Sequence, residues 1–137
     1  MGQKEDIAKT ENKIIVIRDK QVILDRDVAE LYGVETRRIN EALKNNPDKF
    51  PDGYVIELTN NEKEYVVENF DHLKNMKYSH ATTKAFTEKG LYMLATILKS
   101  PLATEVTIAI IETFSKVREV SRAIAKVNDD AEKGIMP

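Results

Sequence analysis

The stretch "DVAELYGVETRRINEALKNN", residues 27–46, decides how the chain folds. Its spacing is that of a helix-turn-helix: a small residue at Ala29, a glycine at Gly33 with Val34 after it, then Ile39, and Ala42 with Leu43. Each position has a physical reason. Two helices can cross closely only over a small side chain, so Ala29 marks the crossing. Gly33 supplies the positive φ that ends the first helix. Val34, Ile39, Ala42 and Leu43 make the apolar contact between the helices. The second helix, expected from about Thr36 to Asn45, then turns Thr36, Arg37, Asn40, Glu41 and Lys44 outward. Arginine and asparagine make bidentate contacts to guanine and adenine edges, so Arg37 and Asn40 are the candidate base readers. Thr36, Arg38 and Lys44 suit phosphates. The same spacing also serves two helices packed only for stability. Glu41 opposes an anionic ligand by charge, although glutamate can accept from a cytosine amino group.

Upstream, "KIIVIRDKQVILDRD" holds two β-rich runs, Ile14–Ile17 and Gln21–Leu24, with "RDK" as a hairpin turn. Asp25 or Asp27 is the expected cap of the helix that follows. Downstream, "NNPDKFPDG" contains two prolines and a glycine and breaks the second helix. "YVIEL" is a further strand. Thr59 followed by Glu62 forms a capping box, which opens a helix with Tyr65, Val66 and Phe70 as its apolar stripe. "KAF" is a brief strand or turn, and Thr87 caps the helix "EKGLYMLATILK". Ser100 and Pro101 stop that helix and start a last one.

The last helix carries Ala103, Val106, Ile110, Thr113, Val117, Val120, Ile124 and Val127 in steps of three and four, an a/d pattern. Between 106 and 114 Ile108, Ile111 and Phe114 widen the stripe, as in a helix buried in a core. After Lys116 the stripe narrows to a seam that suits a partner helix. The final "NDDAEKGIMP" is expected to fray.

Composition excludes several classes. The chain of 137 residues has no cysteine, so disulfides, thiolate zinc sites and a cysteine nucleophile are out. The two histidines, His72 and His80, lack zinc-helix spacing, and no phosphate-binding glycine loop occurs. Asp25, Asp27 and Glu30 are better explained by capping and a solvated helix face than by paired catalytic carboxylates. No catalysis, metal, cofactor or small-molecule substrate is expected. "LYMLATIL" is the longest apolar run and is too short to span a membrane. The start "MGQKEDIAKT" lacks the apolar core of a secretory signal, so the expected location is the cytoplasm. The formal net charge of −2 weighs against non-specific binding of nucleic acid, so the placement of charge matters more than its sum.

One segment is locally basic. Between residues 74 and 90, Lys74, Lys77, Lys84 and Lys89 stand against Glu88 alone, with Tyr78 and His80 among them. Such a loop can grip phosphates and stack on a base, or simply be solvated. Arg18 and Lys20 at the hairpin tip could add phosphate contacts, but hairpin tips are commonly charged for solubility, and that reading is favoured.

Two segments together resemble a known family. "LDRDVAELYGVETRRINEALKNNPDKFPDGYVIELT" is similar to the first half of the ORF6N domain, a module of phage and prophage proteins related to KilA-N. "KAFTEKGLYMLATILKS" is similar to its second half, with the Phe-Thr-Glu-x-Gly stretch at Phe86–Gly90. The similarity runs from about Ile15 to Ile111. It implies a small α+β fold and a DNA-binding role in phage regulators, often within antirepressor-like proteins. Many members carry an arginine-containing segment before the Phe-Thr-Glu stretch; here "NMKYSHATTK" has lysines only.

The expectation is therefore an α+β domain with an N-terminal β-hairpin, a helix-turn-helix-like pair, further short strands and a long C-terminal helix. Residues 1–12 form a flexible tail, 13–115 the DNA-binding domain, and 116–137 the end of the long helix and a tail. Its partners are double-stranded DNA and a second copy paired through that helix. Thr36, Arg37, Arg38, Asn40, Lys44, Lys74, Lys77 and Lys84 are the expected contacts. The competing expectation is a protein-interaction module that binds a phage or host regulatory protein, for which the acidic balance is the clue.

Overall fold

A computed structural model describes residues 12–78, 82–99 and 101–132. Residues 1–11 of the expected 1–12 tail, His80, Ser100 and the last five residues lie outside the described residues.

Strands β1 (Ile15–Ile17) and β2 (Lys20–Leu24) form the N-terminal hairpin, with Ile15 opposite Val22. The turn has two residues, Arg18 (φ 53°) and Asp19 (φ 62°), so Lys20 belongs to the strand. Two successive positive φ values give the turn whose twist matches a hairpin. β2 runs directly into helix α1 (Asp25–Tyr32), whose N-cap is Leu24 with no side-chain hydrogen bond. Asp25 and Asp27 thus fall inside the first turn and do not cap it. Both are buried, and their carboxylates face other elements. Helix α2 (Thr36–Asn45) follows, then a 3₁₀ turn at Pro47–Lys49 and strand β3 (Val55–Glu57). Helix α3 (Asn60–Asn69) opens on the capping box: Thr59 Oγ accepts from Glu62 N–H, and Glu62 Oε1 accepts from Thr59 N–H. A 3₁₀ segment (Asp71–Tyr78), strand β4 (Lys84–Phe86), helix α4 (Glu88–Leu98) and helix α5 (Pro101–Glu132) complete the chain.

The strands run β1-β2-β4-β3, all antiparallel, with Ile23 and Val55 both opposite Phe86. Successive side chains along a strand point to opposite faces, and here both faces are covered. Ile23 and Phe86 join Ala29, Ile39, Ala42, Leu91, Leu94, Ile110 and Phe114 in one core. Val22, Leu24, Ala85 and Ile56 join Ile15, Ile17, Val66, Leu73 and Met76 in the other. Helices α1, α2, α4 and α5 therefore cover one face. Helix α3 and the 3₁₀ segment close the other.

Two apolar stripes differ from expectation. Tyr65 is 49% exposed, because only Val66 of α3 points squarely into the core. Ile108 is 48% exposed, and Ala109 takes the buried place beside Ile110. In α5 the buried set ends at Phe114; Val120, Ile124 and Val127 stand about half exposed. The helix continues to Glu132, past the expected start of fraying.

Candidate nucleic-acid interface

The helix-turn-helix is built as its sequence spacing requires. Gly33 adopts φ 68°, and its N–H donates to Glu30 C=O while Val34 N–H donates to Ala29 C=O. This pair of bonds satisfies carbonyls that the helix end would otherwise leave open. Ala29, buried to 2%, sits at the crossing with Ile39 and Ala42. With that stripe anchored, Arg37, Arg38, Glu41 and Lys44 are exposed along α2, and Thr36 is half-buried at its start. Arg37 lies 3.5 Å from Glu35 and 3.8 Å from Glu41, with all three side chains largely exposed. Exposed pairs of this kind contribute at most about 1 kcal/mol, so a phosphate or base edge can displace them.

Asn40 is placed differently from the other candidates. It is half-buried, its carboxamide hydrogen-bonds Asp25, and its Oδ1 is enclosed without a partner. Asp25 also accepts from Arg26 N–H (2.8 Å) and Lys84 N–H (3.3 Å). Burial pushes its carboxyl above the usual range, against the pull of these bonds and of the Lys84 charge. Asn40 thus ties α2 to the start of α1 and to β4 and is not on the outer face. The 3.6-residue period puts Asn40 one residue beyond Ile39, at the margin of the buried stripe, where only a packed neighbour decides the outcome.

The lysines divide between the two faces of the sheet. Lys84 shares the face of Phe86, toward α1 and α2. Lys74 and Lys77 lie on the 3₁₀ segment whose Leu73 and Met76 enter the opposite core. There they line a groove of about 590 Å³ with Asn60, Lys63, Glu64 and Glu68, and Lys74 Nζ donates to Glu68 C=O. Lys63 does not stand out in the sequence; the one signal for it is its place one residue after Glu62 on an exposed helix. The 3₁₀ segment is pinned to α1 by His72 Nε2, 3.0 Å from Asp27 Oδ2, with Lys13 Nζ 3.7 Å from Asp27 Oδ1. Burial pushes the Asp27 carboxyl up, opposed by His72 and Lys13. Asp25 and Asp27 are two residues apart, so they project about 200° apart on α1. One holds α2 and the other holds the lysine segment.

Arg18 is engaged as well. Its guanidinium grips Glu62 through two bonds of 2.8 and 2.9 Å and donates to Glu57 C=O. Together with the capping bonds this lowers the Glu62 carboxyl from an ordinary 4.5 to about 2. A depressed carboxyl adds stability that is present above pH 4.5 and is lost as pH falls toward 2. Arg18→Ala is expected to return the Glu62 titration toward its ordinary value and to shrink this acid-side loss. An NMR titration of the Glu62 carboxyl checks it, and an unchanged midpoint would show that the capping bonds alone set the shift.

A family model for the ORF6N domain matches residues 12–97, more than half of the chain. The chain belongs to the ORF6N family. No curated protein and no solved structure matches it. The ORF6N stretch Phe86–Gly90 is a packing device in this fold. Phe86 is fully buried at the centre of the sheet. Thr87 N–H and hydroxyl both reach Tyr54 C=O, and Thr87 Oγ accepts from Gly90 N–H as the cap of α4. Glu88 pairs with Arg118 of α5. Gly90 lies against the Tyr54 carbonyl. The match ends at 97, yet Ala103, Val106, Ile110 and Phe114 of α5 are part of the same core as α1, α2 and α4. Among the described residues no cluster of acids and histidines could hold a metal, and no helix is long and apolar enough to cross a membrane.

Proposed function

We propose that this ORF6N chain is the DNA-binding domain of a prophage-type transcriptional regulator or antirepressor, acting without catalysis. The observation that carries the proposal is the outer face of α2. Arg37, Arg38 and Lys44 are exposed along this helix, whose opposite side is anchored by Ile39 and Ala42. α2 enters the major groove, with Arg37 at a base edge and Thr36, Arg38 and Lys44 on phosphates. Asn40 sets the roll of the helix through Asp25 in place of reading a base. Lys84 lies on this side of the sheet; Lys74 and Lys77, with Lys63, lie across it and touch the same duplex only if it wraps around the domain. Two copies pair through the exposed seam Val120, Ile124 and Val127. Such a pair presents two symmetric half-sites.

The test is retention on mixed-sequence DNA at low salt, followed by Arg37→Ala/Arg38→Ala/Lys44→Ala. The triple variant is expected to keep the circular dichroism of the parent and to lower the slope of log K against log salt by about 2, near 0.9 for each of the phosphates that Arg38 and Lys44 no longer neutralise. No salt-sensitive retention of the parent would refute the DNA reading. Light scattering that shows only monomer at micromolar concentration would remove the second copy.

One observation favours the second reading, a module that binds a phage or host regulatory protein. Glu35 and Glu41 flank Arg37, and the sequence pI is about 5.8. A mixed-charge face of this kind suits a protein surface as well as a groove.

A further inference from the structure

Beyond Arg118 helix α5 leaves the body of the domain, and every residue from 119 to 128 is exposed. A rotation of about 100° per residue sorts this free end into two faces. Val117, Val120, Ile124 and Val127 share one. Arg118, Arg122 and Lys126, at i, i+4 and i+8, form a row centred about 180° away. Glu119, the one acid between Lys116 and Asn128, borders the row. Arg118 shares its charge with Glu88. In a chain with net charge −2, this is a concentrated cationic edge on an exposed helix end.

The same helix begins at the helix-turn-helix. Leu102 Cδ2 would stand 3.4 Å from a Cβ at Gly33, and Tyr32 Oη hydrogen-bonds Thr107 Oγ1 at 2.9 Å. From Leu102 the row lies about 24 to 36 Å along the axis, at about 1.5 Å per residue. One turn of duplex spans about 34–36 Å. We propose that Arg118, Arg122 and Lys126 form a second contact track for the phosphate backbone of the bound duplex, about two thirds of a turn to one turn from the Gly33 turn that leads into α2. The inference rests on the DNA-binding proposal above. Charge complementarity and this spacing select the duplex as occupant. A membrane surface fits less well, because the apolar face is Val and Ile without the Trp, Phe or Leu of interfacial helices.

The experiment compares the full chain with Arg122→Ala/Lys126→Ala by fluorescence anisotropy over a salt series. One duplex is long enough to reach the track and one is too short. On the long duplex the variant is expected to lower the slope of log K against log salt by about 2; on the short duplex the two proteins are expected to agree. Equal slopes on the long duplex overturn the track while leaving the role of α2 intact. So does an equal deficit on both duplexes. A parent that binds neither duplex overturns the DNA-binding proposal itself. Loss of binding to phosphatidylserine vesicles, with duplex binding unchanged, would assign the row to a lipid surface and overturn the track.

Discussion

Gly90→Ala is expected to lower the stability of the domain by about 3 kcal/mol or more, on the scale of severe overpacking. A Cβ at this position would stand 2.1 Å from Tyr54 O and 3.1 Å from Tyr54 C. The clash is with backbone, and that backbone is held on both sides. Tyr54 C=O accepts from Thr87 N–H and lies 2.9 Å from the Thr87 hydroxyl, while Tyr54 N–H donates to Pro51 C=O. Relief requires the 51–54 turn to lift off α4, which breaks the cap of that helix and shifts β3 against β4. Domains of this size have only about 5–15 kcal/mol in total, so the variant is expected to lose a large part of its folded population on mild heating. Gly33→Ala is the control. Its strain is conformational, a φ of 68° with 3.4 Å of clearance to Leu102 Cδ2, and a left-handed alanine costs about 1–2 kcal/mol. Urea unfolding followed by circular dichroism ranks the two. A Gly90→Ala midpoint at or above that of Gly33→Ala would mean that the 51–54 turn moves freely.

This contrast marks what the sequence made legible. Features with local causes were readable in advance: the Gly33 turn, the Thr59–Glu62 capping box, the Thr87 cap, and the hairpin to within one residue. Each is decided by residues within four or five positions of one another. Features decided by packing across the chain were not. The spacing that exposes Arg37 gives no sign that Asn40 meets Asp25, because that contact depends on how α1 and β4 dock. Tyr65 and Ile108 satisfy helical periodicity, yet the neighbouring Val66 and Ala109 take the buried places. Nor does charge counting along 74–90 separate Lys84 from Lys74 and Lys77, which the strand alternation at Ala85 and Phe86 sends to opposite faces. Arg18 looked like a solvated hairpin tip, and a left-handed turn aims it at Glu62.

Phe114→Ala is expected to cost about 3–5 kcal/mol, the range for removing a buried phenylalanine. Ile124→Ala on the same helix is expected to leave monomer stability within about 0.5 kcal/mol. Phe114 is 1% exposed and belongs to the core of Phe86, Leu91 and Leu94; Ile124 is 57% exposed. The comparison bears on where the domain ends, since the ORF6N match stops at residue 97 and α5 begins at Pro101. A fragment cut at 97 would expose the partners of Ala103, Val106, Ile110 and Phe114. Burial of side chains of this size is worth about 1.5–3 kcal/mol each for the larger ones, which a small domain cannot forgo. The first half of α5 is then part of the folding unit and the second half a helical extension of it. Guanidinium unfolding of both variants at low protein concentration, where the proposed pairing through the seam is suppressed, checks this. A benign Phe114→Ala would make α5 an appendage, and the fixed distance from the turn at Gly33 to Arg122 and Lys126 would lose its physical basis.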